Sequence, residues 1–529
     1  MPKIQITTLL ALLYVSLAVA VLWPASLPGS TTVPGGQWTD VWNSLWSMDF
    51  AHRSVMTGSI PWHTSALGSP GGGSVLLPDF WGAVFAVPAV GLMGVAGAYS
   101  TWMVLQLAAA GLITHLFTAE WLQSTGLSKD AAQRAGLAAG ASFLISPVLL
   151  AGVQCGTTEA VAGGWMSGAV WAVWRALETP SQRRTLTAGA ALAAVTLSGW
   201  YTAVIAFVFA GVFTLMAWRR LKISALQPLG LGLLFAVPFA LWTHGVHTDP
   251  GHLATRAPEI LDRIRASFGA ATPLGMVWPT DHADIAIGAM TDSGTGYLHT
   301  GYLGLVLLSA SLLGLRYART TAAPLALAGL LCAILSWGPG ESGTLPFALI
   351  DGLPGARSLS LVWRLALGAA LAVSMLAAAA TRGRWTWVVG LLVLVGSETA
   401  VRSPVSDGIA TTDAAPIEAL QALQRLPPGV VITVPRQHAE LWLQVNHRQA
   451  ITGTINIRRS ESAQAWIEMA TQGDWKPASQ AAREMGIRYV AVKQSEALRA
   501  STEAVVAHRL STEAEVVAKH ERWTVYGLW

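Results

Sequence analysis

With 529 residues, 53% of them hydrophobic and only 12% charged, the chain lies outside soluble-domain composition, where charged residues make up roughly 25%. A net charge of +4 does not argue for nucleic acid, because in so apolar a chain excess Lys and Arg marks cytoplasmic loops. Two cysteines, Cys155 and Cys332, give no disulfide framework and no zinc spacing, and no phosphate loop or dinucleotide fingerprint is present.

In chain order, residues 4–23 read as a first span, with Lys3 before it. Ala18-Val19-Ala20 resembles a signal-peptidase site, and an uncleaved span is the preferred reading. A polar-decorated loop follows, 24–97, carrying Asp40, Asp49, His52, Arg53, His63 and Asp79 among tryptophans. Trp38, Trp42, Leu45, Trp46 and Asp49 recur at three- and four-residue steps, which predicts an amphipathic helix lying in the membrane interface. Phe80 to Gly94 is a second apolar stretch, interrupted by Pro88 and barely long enough to cross. Further spans are expected near 98–118, 133–152, 158–177, 184–199, 201–218, 223–243, 298–316, 322–337, 361–380 and 384–401.

Basic clusters set the topology. Arg183-Arg184, Arg219-Arg220 with Lys222, Arg316 with Arg319, and Arg382 with Arg384 all fall inside only if residues 80–96 stay interfacial. The expectation is a mainly α, polytopic protein of about eleven transmembrane helices over 1–404, with long outer loops 24–97, 244–297 and 338–360. Residues 405–529 carry 26 charged side chains against 36 in the first 404, and read as a soluble extracytoplasmic α/β domain. Within it VVITVP (430–435) is strand-like, ASQAAREMGIRYVAVKQS (478–495) a helix, glycine stop and buried strand, and EAEVVAKHERWTVYGLW a closing hairpin.

The order of features resembles the GT-C superfamily of membrane glycosyltransferases, and in particular bacterial proteins related to lipoteichoic-acid-glycosylating membrane proteins. The matching pieces are Asp40 in the first outer loop, PWHTSALGSPGG after it, AYSTWMVLQLAAAGLITHLF, GYLG at 301–304, LSWGPG at 335–340, LPGARSLSLVWRLALG at 353–368 and MGIRYVAVK in the tail. The resemblance implies transfer of a sugar from a polyprenyl-phosphate-linked donor to an extracytoplasmic glycan, lipid or protein acceptor, in a bacterial inner membrane. It implies Asp40 as general base and Glu159 as a second acid; a divalent metal, if any, would be held by these two. His52, Arg53, Arg357 and Arg364 are the candidates for binding the substrate phosphate. The alternatives are a non-catalytic envelope-assembly protein of the same fold and a lipid or polysaccharide transporter.

Each residue also has a plainer reading. Asp40 could cap the tryptophan-rich helix, and Glu159 could be a first-turn acid favoured by the helix dipole. Asp49 and Asp79 fit polar-face or capping roles, His52-Arg53 a solvated pair, and Arg357 and Arg364 arginines snorkelling at a span's end. The scattered His and Asp of 244–297 fit a solvated loop better than a metal site. Cys155 reads as a free thiol, and Trp200-Tyr201 as an interfacial anchor.

Overall fold

The computed structural model describes residues 3–27, 29–37, 39–69, 71–77, 79–248, 253, 262, 264–265, 269–279, 298, 300–340, 346–350, 359–406, 408–435, 439–452, 461–472, 475–499 and 503–529. The helices of the first part are α1 (Lys3–Val21), α2 (Val41–Met56), α3 (Phe80–Ser124), α4 (Lys129–Leu144), α5 (Pro147–Gln154), α6 (Gly163–Glu178), α7 (Gln182–Ser198), α8 (Trp200–Leu221), α9 (Gln227–Thr248), α10 (Leu305–Leu335), α11 (Ala366–Ala380) and α12 (Trp385–Arg402). The stretches expected to span fall on these helices or pieces of them, with 133–152 covering both α4 and α5. Among the described residues, four helical runs are long and apolar enough to cross a membrane by themselves: Phe80–Ser124, Lys129–Gln154, Trp200–Thr243 and Val362–Ala380. Shorter apolar helices run Thr7–Val21, Leu305–Ala318 and Thr321–Leu335. This is a multi-pass membrane protein.

Two of the long helices are not straight rods. In α3 the backbone leaves helical geometry at Gly94 (φ 73°), a conformation glycine reaches without a Cβ penalty. The chain reverses there: Trp102 donates its indole N–H to Asp79 at 2.7 Å and stacks on Phe85 at 5.0 Å. In one straight helix, residues 79 and 102 would lie roughly 35 Å apart at 1.5 Å per residue. Residues 80–93 extend only about 21 Å, short of a roughly 30 Å hydrocarbon core. Trp81 of this piece stacks on Trp165, near the start of α6, and bonds the carbonyl of Ala194, near the end of α7. The piece therefore lies across the ends of its neighbours. Pro88 sits inside it without being the break.

In α10, Gly314 abuts the carbonyl of Leu376, and Gly329 abuts Ala372. Those two partners are about one turn, roughly 6 Å, apart on α11, whereas fifteen residues of straight helix cover about 22 Å. The chain thus doubles back between Leu305–Ala318 and Thr321–Leu335, the reversal expected between residues 316 and 322. The glycines and the alanine-rich α11 let these backbones approach closely.

The tail is a mixed five-stranded sheet in the order β6-β5-β7-β9-β8, from β5 (Val430–Val434), β6 (Ala450–Ile451), β7 (Ile487–Lys493), β8 (Glu515–His520) and β9 (Trp523–Gly527). β5 runs parallel to β6 and β7, while β9 is antiparallel to both β7 and β8. α13 (Glu440–His447), α14 (Glu461–Gln472), α15 (Trp475–Glu484) and α16 (Glu503–Glu513) complete it. Gly486, in the left-handed region at φ 70°, ends α15 and opens β7, where the sequence placed its glycine stop.

The tail is stitched to the 24–97 loop. β1 (Thr32–Pro34) pairs antiparallel with β4 (Thr411–Asp413), and β2 (His63–Thr64) with β3 (Gly73–Ser74) inside the loop. Ile451 exchanges backbone hydrogen bonds with Ala66 and Ser69 at 2.8 and 3.0 Å. The tryptophan face of α2 meets α13: Trp46 donates to Gln444 at 3.0 Å, and Trp42 packs on Trp442. This corrects the expected interfacial helix. Its 3.6-residue stripe is real, but Trp42, Trp46 and Asp49 are buried beneath the tail rather than laid in lipid. Asp49, about 1% exposed, pairs with Arg53 of its own helix and with Arg448 of the tail.

Candidate active site

The site forms where four turns meet. Asp40 occupies the N-cap position of α2, yet its side chain makes no cap hydrogen bond. Its backbone N–H donates instead to the carbonyl of Cys155 at 3.1 Å. Gly156 (φ +67°) makes that approach feasible: a Cβ there would lie 2.6 Å from the Cα of Val41. The 155–159 turn is thus pressed against the start of α2, and Ser44 closes it with a 2.7 Å bond to the Gly156 carbonyl.

On that turn a 3-10 segment, Thr158–Val161, carries Glu159. A second 3-10 segment, Val362–Leu365, leads into α11 and carries Arg364. Arg364 Nη1 donates to Glu159 Oε1 at 3.2 Å and Nη2 to Thr157 Oγ1 at 3.2 Å, with the guanidinium carbon 5.1 Å from the Tyr201 ring centroid. The Arg364 and Glu159 side chains are 6% and 16% exposed, which makes this a buried ion pair. Among the described residues Nε of Arg364 has no hydrogen-bond partner. Tyr201 is held in turn by accepting the Leu361 backbone N–H at 2.8 Å.

Burial pushes the Glu159 carboxyl up, the Arg364 guanidinium pulls it back down, and the nearby Asp40 adds to the upward push. Asp79 closes the group from the α3 side. It caps α3 through the Gly82 N–H at 2.9 Å and accepts from Trp102, while burial raises its carboxyl to about 6, with the Glu159 charge adding to the rise.

The structure therefore brings together Asp40, Glu159 and Arg364, three residues far apart in sequence. His52 and Arg53 stand elsewhere. They follow Asp40 by twelve and thirteen residues, roughly 18 Å along α2. His52 Nδ1 lies 2.7 Å from the Val87 carbonyl, and Arg53 is engaged by Asp49 at 2.7 Å. These contacts bind the loop to itself and to the tail. Arg357 lies outside the described residues, as do Asp249, His252, Arg256, Glu259, Arg263, Asp281, His282, Asp284 and Asp292 of the 244–297 loop. Of that loop's charged residues, Asp262 and Arg265 pair with each other.

Sequence reasoning missed Thr157 and gave Tyr201 only an anchoring role. A hydroxyl beside an acidic turn carries little signal by itself, whereas Tyr201 directly follows the Gly199-Trp200 break between α7 and α8. Cys155 is a buried free thiol. Among the described residues no three His, Cys, Asp or Glu side chains gather closely enough to hold a metal ion. Two carboxylates, one already paired with a guanidinium, form a poor donor set for a divalent cation that asks for about six oxygens.

No protein-family model matches the chain, and no curated protein does. The structure resembles that of the arabinofuranosyltransferase AftD from Mycobacteria, with a TM-score of 0.55 and 15% identity over 99% of this chain and 41% of that one. The fold is of the GT-C type. At that identity the likeness shows the fold alone, and this chain spans well under half of AftD. Weaker likenesses are found to the archaeal oligosaccharyltransferase AglB from Archaeoglobus fulgidus, in complex with an inhibitory peptide and a dolichol-phosphate (TM-score 0.48, 13% identity, 93% of this chain and 69% of that one). ArnT from Cupriavidus metallidurans, bound to undecaprenyl phosphate, gives a TM-score of 0.46 at 13% identity over 98% of both chains. Neither of these two carries an argument for this protein.

Proposed function

We propose that the protein is a membrane glycosyltransferase that moves a sugar from a polyprenyl-phosphate-linked donor to an acceptor on the outer face of a bacterial inner membrane. The observation that carries the reading is the buried Glu159–Arg364 pair set beside Asp40, close enough for the two carboxylates to feel each other.

In the proposed step the Asp40 carboxylate takes the proton of the acceptor hydroxyl. The acceptor oxygen bonds to the anomeric carbon as the bond from that carbon to the phosphate oxygen breaks, and polyprenyl phosphate leaves with the electron pair. One displacement inverts the anomeric centre, as in single-displacement glycoside hydrolysis. Arg364 supplies the fixed positive charge that offsets the departing phosphate, and Glu159 holds its guanidinium in place. Arg357, on the outer loop that precedes Arg364, is a second candidate for the phosphate.

The test is transfer of radiolabelled sugar by membranes carrying wild-type protein or Asp40→Asn at matched abundance. Loss of a general base lowers the rate by about 10²–10⁴. Label that leaves the lipid fraction only when Asp40 is intact supports the assignment, and equal transfer by both proteins overturns it.

A further inference from the structure

A second feature lies at the far end of α11. Arg364 just precedes this helix and Arg382 just follows it, so the two arginines are separated by its fifteen residues, roughly 22 Å. At the Arg382 end, α10, α11 and α12 enclose a groove of about 690 Å³, within the size range of ligand sites. Its walls are apolar, with Leu305 and Leu313 from α10 and Leu391 and Leu394 from α12. Arg382 and Arg384 are the charged residues that line it, and both are exposed.

The basic end is built rather than incidental. Thr381 to Arg384 form a tight turn in which Arg382 (φ 50°) and Gly383 (φ 66°) both adopt left-handed backbone. Gly383 presses so closely on the carbonyl of Ala131 in α4 that a Cβ has no room. The turn is closed by a 3.2 Å bond from the Gly383 N–H to Thr381 Oγ1. The Arg382 guanidinium lies 3.9 Å from the centroid of the Tyr317 ring, and Arg134 adds a third positive charge over Trp385. No ion pair of Arg382 or Arg384 occurs among the described residues.

We infer that this groove binds an anionic glycerophospholipid of the leaflet opposite the candidate active site. Its acyl chains would lie along α10 and α12, and its phosphate would sit between Arg382 and Arg384. Charge complementarity selects the occupant, because an apolar trough ending in unpaired arginines matches an acyl chain ending in a phosphate diester. The length of α11 separates its basic end from Arg364, so it is independent of the proposed reaction.

Native mass spectrometry of the full chain in neutral detergent would test this, with phosphatidylglycerol, phosphatidylcholine or polyprenyl phosphate added in turn. Arg382→Asn with Arg384→Gln removes both charges, and asparagine tolerates the left-handed backbone. Gly390→Leu fills the trough from α12, where a Cβ would meet nothing within 4 Å, and favours the helix. The expected result is preferential retention of phosphatidylglycerol. The arginine variant should weaken it roughly thirty-fold, the weight of two basic side chains at an anionic lipid. Gly390→Leu should abolish it with the arginines intact. Equal retention of phosphatidylcholine, retention of polyprenyl phosphate that the arginine variant weakens, or phosphatidylglycerol retention unchanged in Gly390→Leu would each overturn the inference.

Discussion

Replacing Arg364 by methionine would leave the Glu159 carboxylate and the Thr157 hydroxyl facing each other in a mostly buried pocket. The pair is buried at 6% and 16% exposure, too little for solvent to take over the stranded charge. Removing one member of such a pair costs about 3–5 kcal/mol. Protonation of Glu159, whose carboxyl burial already pushes up, limits the loss toward the lower figure. Glu159→Gln, which strands the guanidinium instead, should cost a similar amount, since Arg364 cannot shed its proton. The double variant should lose clearly less than the sum of the two singles, with a coupling of roughly 2 kcal/mol or more. Unfolding in detergent, followed by tryptophan fluorescence, measures all three. Additive losses, or a loss for Arg364→Met within about 0.5 kcal/mol of zero, as for a surface change, would refute the buried-pair account.

Asp79 makes a pH prediction. A carboxyl raised from 3.8 to about 6 in the folded state stabilises the fold most below pH 4, and that contribution is lost as pH climbs through 6. The size is roughly 3 kcal/mol at 1.36 kcal/mol per pH unit. Asp79→Asn should therefore gain about that much relative to wild type between pH 4 and 7, and a gap that stays constant with pH would contradict it. Gly156→Ala puts a methyl group into Val41 and a side chain at φ +67°; it should cost about 2 kcal/mol or more and lower transfer by displacing Asp40, as melting curves and the label assay would show. Asp49→Asn leaves Arg53 and Arg448 without their shared carboxylate. With both arginines about one-third exposed the cost should be only about 1–2 kcal/mol, and proteolysis of the 403–410 linker should quicken.

Hydropathy made the helices legible because a span must satisfy its backbone internally and show an apolar face to lipid. The tail strands were legible for a similar reason, since β5 and β7 are short apolar runs bounded by Pro and Gly. Periodicity gave the buried face of α2 but not what covers it: Trp42 and Trp46 would read alike against lipid or against Trp442 and Gln444. β1 and β4 are three residues each, too short to carry a pattern. Glu159 and Arg364, 205 residues apart, each had a local explanation, dipole or snorkel, and only the fold shows that they satisfy each other.

The β1–β4 seam also dictates an order of manufacture. Thr412 bonds to the carbonyl of Gly35, 377 residues earlier in the chain. At 5–20 residues per second, a ribosome needs roughly 20–75 s to bridge that interval. Throughout that time the loop bearing Asp40 is without the tail, and its tryptophans and Asp49 are uncovered. A chain cut short before Arg448 never buries the tryptophan face of α2 or pairs Asp49 a second time, so that loop is finished only in a molecule whose translation has reached the tail.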